Sequence, residues 1–137
     1  MSSIRLKVVD AIATALATAT GLTVFRNLDQ ALDQRLMPAV VVRSSEDRVL
    51  GQAISLLDQQ ADLEIIVLFA FGKTPEADCD PYECEIHAAL MASPIFGGVT
   101  VLMERLGGMW TFDLGDCAAR TLNYRFGYRT SVTSLEA

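Results

Sequence analysis

The residues of this chain that could carry chemistry are few. Cys79, Cys84 and His87 lie close together, and Cys117 is the third cysteine. Structural zinc sites use four ligands, with cysteines usually paired as C-x2-C or similar. No such pair is present. Cys84 and His87, three residues apart, can share a helix face, but Cys79 falls before the expected helix and Cys117 is distant. No metal ligands are therefore assigned. The same pair could serve as a nucleophile and its base, which would also require an orienting carboxylate and an oxyanion site. Glu83 offers the first only by adjacency, and nothing offers the second. No catalytic residue and no cofactor is assigned. A small cytoplasmic enzyme using Cys84 and His87 stays as a weaker alternative.

Other suggestive stretches read as structure. Gly97–Gly98 and Gly107–Gly108 match no phosphate-binding pattern and are expected in turns. Asp113 and Asp116 flank Gly115, but the loop lacks the further oxygen ligands calcium takes, so a solvated turn is expected. Trp110 is the only tryptophan. It reads as a buried strand residue, with a partner contact as second choice. The stretch "LNYRFGYRTS" mixes arginine with aromatics, as single-strand nucleic-acid binders do. In a strand, however, side chains alternate faces. Leu122, Tyr124, Phe126 and Tyr128 then point one way, and Asn123, Arg125, Gly127 and Arg129 the other. Stacking on bases needs aromatics and cations on one surface, so this is a half-buried strand. Its polar face is free for water or another subunit, where arginine pairs well with carboxylates.

The bulk composition agrees. The chain has 137 residues, which fits one domain over 1–137. A net charge of −6, with eleven basic residues scattered from Arg5 to Arg129, argues against a phosphate-binding surface. The opening "MSSIRLKVVDAIATALATAT" reads as an amphipathic helix, not a signal segment. The run "IIVLFAFG" is too short to span a bilayer, so no membrane partner is expected. Free thiols in a reducing cytoplasm are expected.

These residues must be positioned by elements legible in the pattern. Ser2 or Ser3 can cap a helix to about Thr20, with Ile4, Val8, Ile12 and Leu16 as its stripe and Gly21 as its stop. "LTVFRN" reads as a strand, "LDQALDQRLM" as one or two helical turns, and "PAVVVRS" as a strand buried on both faces. Residues 45–60 have no clean period and are either a hairpin arm or a mobile loop around Gly51. "ADLEIIVLFAFG" is the clearest strand. "KTPEADCD" reads as a linker, and a second helix begins at Asp80 or Pro81 with Tyr82, Ile86, Ala89 and Leu90 as its stripe. "SPIFGG" ends it, "VTVLMERL" is a strand, "GGMWTFDLGDCA" contains a turn, and "ARTLNYRFGYRT" is the last strand. The expected class is α+β: a mostly antiparallel four- to five-stranded sheet with two main helices packed on one face.

The order of these pieces resembles the tail terminator (tail completion) proteins of long-tailed bacteriophages, the minor tail protein U-like group. The resemblance spans almost the whole chain: "SIRLKVVDAIATALA", "MPAVVVRSSEDRV", "ADLEIIVLFAFGKTP", "DPYECEIHAALMASPIFGG", and an acidic turn before a last strand ending in "YRT". It implies a structural virion protein that caps a tail tube as a hexameric ring and ends tube polymerisation. Its partners would be its own copies, the tail tube protein and a head–tail connector or neck protein. DNA would pass through the lumen without sequence-specific binding. The location would be the tail–neck junction of the virion, after assembly in the host cytoplasm. Another neck protein is the nearest alternative. A ring needs two complementary patches per subunit. The candidates are segment 45–60, carrying Asp47, Arg48 and Leu50, and the polar side of the last strand with Arg125 and Arg129. Trp110, Asp113 and Asp116 complete the candidate interface.

Overall fold

The computed structural model describes residues 3–26, 37–70, 75–114 and 117–135. Helix α1 spans Ile4–Thr20. The Ser3 Oγ accepts the Leu6 N–H at 3.2 Å, which satisfies a donor that the first helical turn cannot. Gly21 closes the helix, its N–H returning to the Ala17 carbonyl. The stripe Ile4, Val8, Ile12 and Leu16 is buried, as its spacing predicts.

Strands β1 (Val24–Phe25), β2 (Ala39–Gln52), β3 (Leu56–Ala70), β6 (Leu102–Leu114) and β7 (Cys117–Ser131) form one sheet in the order β1-β2-β3-β7-β6. The short β1 runs parallel to β2, and all other pairings are antiparallel. Two further strands, β4 (Ile95–Phe96) and β5 (Val99–Thr100), make a separate small hairpin. Helix α2 spans Pro75–Met91 and packs beside α1. Both helices cover the same face of the sheet. Val40 and Val42 of β2, Leu63, Ile65 and Val67 of β3, and Leu122, Tyr124 and Phe126 of β7 meet Ile12, Leu16, Ile86 and Leu90 in one core. Each fully buried side chain of this kind contributes about 1.5–3 kcal/mol, so this one layer holds the domain together. The fold is the expected α+β class.

Several boundaries differ from the sequence reading, each for a physical reason. Of the two readings of residues 45–60 the hairpin arm holds, since they form the outer half of a long β2–β3 hairpin that turns at 53–55. Register shifts between Ser44 and Glu46 and between Val49 and Gly51 break the alternation, which hides the strand. Helix α2 starts at Pro75, not at Asp80 or Pro81. Pro81 sits inside it, and Glu76 and Asp78 occupy its first turn. The segment "GGMWTF" holds no turn at its glycines. Gly107, at φ 145°, lies at a register shift between Arg105 and Gly107 inside the continuous strand β6. Gly97 and Gly98, at φ 60° and 76°, do make the expected turn, between β4 and β5. "VTVLMERL" divides at Val101 into β5 and β6. The helical turns read in "LDQALDQRLM" fall almost wholly outside the described residues, as does Asp116.

Candidate assembly interface

The face of the sheet opposite the helices carries the most ordered set of charged side chains. Strand β3 is central in this set and alternates Asp58, Gln60, Asp62 and Glu64 toward that face. The antiparallel registers place Arg43 opposite Glu64 and Arg48 opposite Gln60 on one side. They place Arg125 opposite Asp62 and Arg129 opposite Asp58 on the other. The side chains follow. Arg43 Nε donates to Glu64 at 2.6 Å, and Arg129 Nε donates to Asp58 at 2.7 Å. Asp62 receives Arg48 Nη2 at 2.9 Å and Arg125 Nε at 3.2 Å. Arg48 also donates to Gln60 Oε1 at 2.9 Å. Cross-strand opposite charges of this type contribute roughly 0.2–1 kcal/mol each.

Asp62 is the junction. Burial alone would raise its pKa. The hydrogen bonds and charges of Arg48 and Arg125 outweigh that, and hold the carboxyl below its ordinary value. One carboxylate thus ties the arm strand β2 to the last strand β7 across β3.

The structure therefore brings Arg48 and Arg125 to the same carboxylate, with Arg129 two same-face pairs further along. It does not bring Asp47, Leu50 or Trp110 there. Asp47 points to the helix side, where it pairs with Arg5 of α1 at 3.1 Å. Leu50 sits at the second register shift of the arm, well exposed. Trp110 is half-buried on the helix side of β6, against the core. The Arg120 guanidinium lies 5.7 Å from its ring centre, a cation–π distance. Asp113 belongs to β6, and Asp116 lies outside the described residues. Sequence reading missed Asp58, Gln60, Asp62 and Glu64 as partners. Their signal was the alternation of β3, but only the register could pair them.

The cysteine and histidine candidates sit on α2. Cys79 is buried and Cys84 exposed. Burial, reinforced by the Glu83 charge, pushes the Cys79 thiol up to about 11, which suppresses the thiolate a nucleophile needs. His87 Nδ1 shares a hydrogen bond of 2.9 Å with the Tyr124 hydroxyl. Arg105 Nη1 donates to that same hydroxyl at 3.3 Å. Glu83 does not orient His87. It accepts Arg120 Nε at 2.8 Å and lies 3.7 Å from Arg105. These contacts fasten α2 to β6 and β7. Among the described residues no group of three His, Cys, Asp or Glu could hold a metal, and no helix is long and apolar enough to cross a membrane.

What the fold and this face define is an α+β protein with one sheet face under the helices and an opposite face that is charge-paired over its outer half and buries Val41, Leu68 and Ala119 at its other end. No protein-family model matches the chain, and no curated protein does. Solved structures do. The chain is similar to a chain from the virion of a native gene transfer agent particle, with a TM-score of 0.65 at 12% sequence identity. The match covers 95% of this chain and 100% of that one. At this identity the likeness concerns the fold.

Proposed function

We propose that this protein is a structural component of a phage-like virion, and within that class a tail terminator. In this role it closes the tail tube as a hexameric ring, stops tube polymerisation and offers a joining surface to the head connector. The observation that carries the proposal is the end-to-end fold likeness to a chain of a gene transfer agent virion. The open sheet face supports it, since a charge-paired surface suits a contact that must form in one register. The arm carrying Arg48 and Leu50 and the strand carrying Arg125 and Arg129 supply that surface.

The outer side of α2 suits the conduction of DNA. Glu76, Asp78, Asp80 and Glu85 are exposed there, and the helix has no lysine or arginine. Lining a lumen, those carboxylates would repel phosphates and let DNA slide. The test is native mass across a concentration series, with electron microscopy of large species. Ring particles of six subunits that cap tail tubes support the proposal. A protein that forms no ring with or without tubes refutes it. Rings that leave tubes uncapped move the role to another neck protein.

A further inference from the structure

Strand β6 meets β7 first at Leu102 opposite Gly127. Beyond that point Tyr128–Ser131 are paired only with β3 in the described registers. Beside this open strand edge lies a groove of about 750 Å³. Its walls include Leu50, Val101 and Leu102, and its floor includes Gly127, which leaves the place of a side chain empty. A Cβ built on Gly127 would meet only ordinary contacts, at 3.8 Å. The charged groups on the rim, Asp58 and Arg129, already neutralise each other at 2.7 Å. The groove therefore asks for an uncharged, apolar, extended occupant.

The same chain carries one. Gln52 to Leu57, the tip of the β2–β3 arm beyond the groove-lining Leu50 and Gly51, contains no charged residue. Ile54 at its turn is fully exposed, and Leu56 is also exposed. The tip is held in shape by the Ala53 N–H to the Leu56 carbonyl at 2.8 Å and by the Val132 N–H to the Ser55 carbonyl at 3.1 Å. A preformed knob loses little freedom on docking. Its own Ile54 is fully exposed and is not among the groove's lining residues, so the tip does not fill its own groove.

We infer that the arm tip of one copy inserts into the Gly127 groove of the next, adding to the open edge of β7. Knob and groove are different surfaces of one chain, so the contact is head-to-tail and propagates to a ring or a filament. The pairing rests on the ring reading above and names its surfaces. A six-residue tip is roughly a fifth to a third of the ~20–30 residues one side of a standard interface uses. Single contacts are thus weak, and closure or the adjoining charged face must add to them.

Two variants test this without threatening the fold. Gly127→Val fills the groove at a position whose extended backbone favours a branched residue. Ile54→Asp charges a fully exposed side chain. Each should weaken self-association by at least roughly tenfold and leave the melting temperature of the subunit near that of the wild type. Mixed together they should stop at dimers, since one retains only a groove and the other only a tip. A cross-link reads the contact where association is weak. With Cys84 and Cys117 replaced by serine, the Ile54→Cys/Leu102→Cys chain should oxidise to covalent multimers beyond the dimer. Neither single variant should pass the dimer.

A Gly127→Val protein that associates as tightly as the wild type overturns the inference. So does an Ile54→Cys chain that cross-links as efficiently alone as with Leu102→Cys, which would mean tip against tip. Absence of the ladder also overturns it, whether or not wild-type rings form; if they do, the ring reading stands without this contact. A ladder that closes at a number other than six supports the contact and refutes the hexamer.

Discussion

Replacing Asp62 by asparagine should loosen the arm and remove a distinct feature of acid unfolding. The carboxylate accepts from Arg48 at 2.9 Å and from Arg125 at 3.2 Å. Hydrogen bonds to charged groups contribute ~1.5–3 kcal/mol when buried. Here the three side chains keep between 21% and 34% of their exposure, so water and salt screen them. Arg48 also retains Gln60 as a partner. The expected loss is about 1–2 kcal/mol. For a chain of 137 residues, the usual unfolding entropy converts this to a fall in Tm of about 4–7 °C.

The pH dependence separates this mechanism from a packing defect. The Asp62 carboxyl titrates below its ordinary 3.8 in the folded protein. As pH falls, the unfolded chain takes up this proton first. The stabilisation is complete above the unfolded value and disappears as pH drops through the lower folded one. Urea titrations at a series of pH values should show the wild type losing its advantage over Asp62→Asn in that acid window. Hydrogen exchange at neutral pH should show faster opening of 45–60 in the variant. A variant as stable as the wild type at neutral pH, with a parallel acid limb, would refute the bridge.

Three further outcomes follow from the geometry. Tyr124→Phe keeps the buried ring but removes the hydroxyl shared by His87 and Arg105, and should cost about 1 kcal/mol by urea unfolding. Gly107→Ala places a side chain at φ 145° and should destabilise by roughly 1–3 kcal/mol. Gly51→Ala, with open space around it, serves as its control and should change stability far less. Under native conditions at mildly alkaline pH an alkylating reagent should label the exposed Cys84 promptly. Cys79, buried and with its thiol pushed up to about 11, should react only on unfolding; peptide mapping that finds both labelled at one rate would contradict its burial.

Local periodicity and caps decided much of this protein before any contact was considered. The stripe of α1, its Ser3 cap and Gly21 stop, the alternation of β3 and the segregation of arginines from aromatics in β7 all follow from neighbours in sequence. So does the absence of a recognisable catalytic pattern. The elements left open or misplaced are those whose determinants are distant. Segment 45–60 is strand because β3 pairs with it through two register shifts, and a shift erases the two-residue period. Helix α2 continues back to Pro75, past a proline that looked like its beginning, because Cys79 is buried in the shared core. Gly107 reads as a turn residue in isolation and as a strand irregularity once β7 lies beside it. The candidate site shows the same division. Arginines at 48, 125 and 129 and carboxylates at 58 and 62 are visible as charges in the sequence. That two of those arginines share one carboxylate, that Asp47 turns to the opposite face, and that Gly127 opens a groove where β6 begins depend on strand order and register. Those are set by the burial of a common core, which no local window contains.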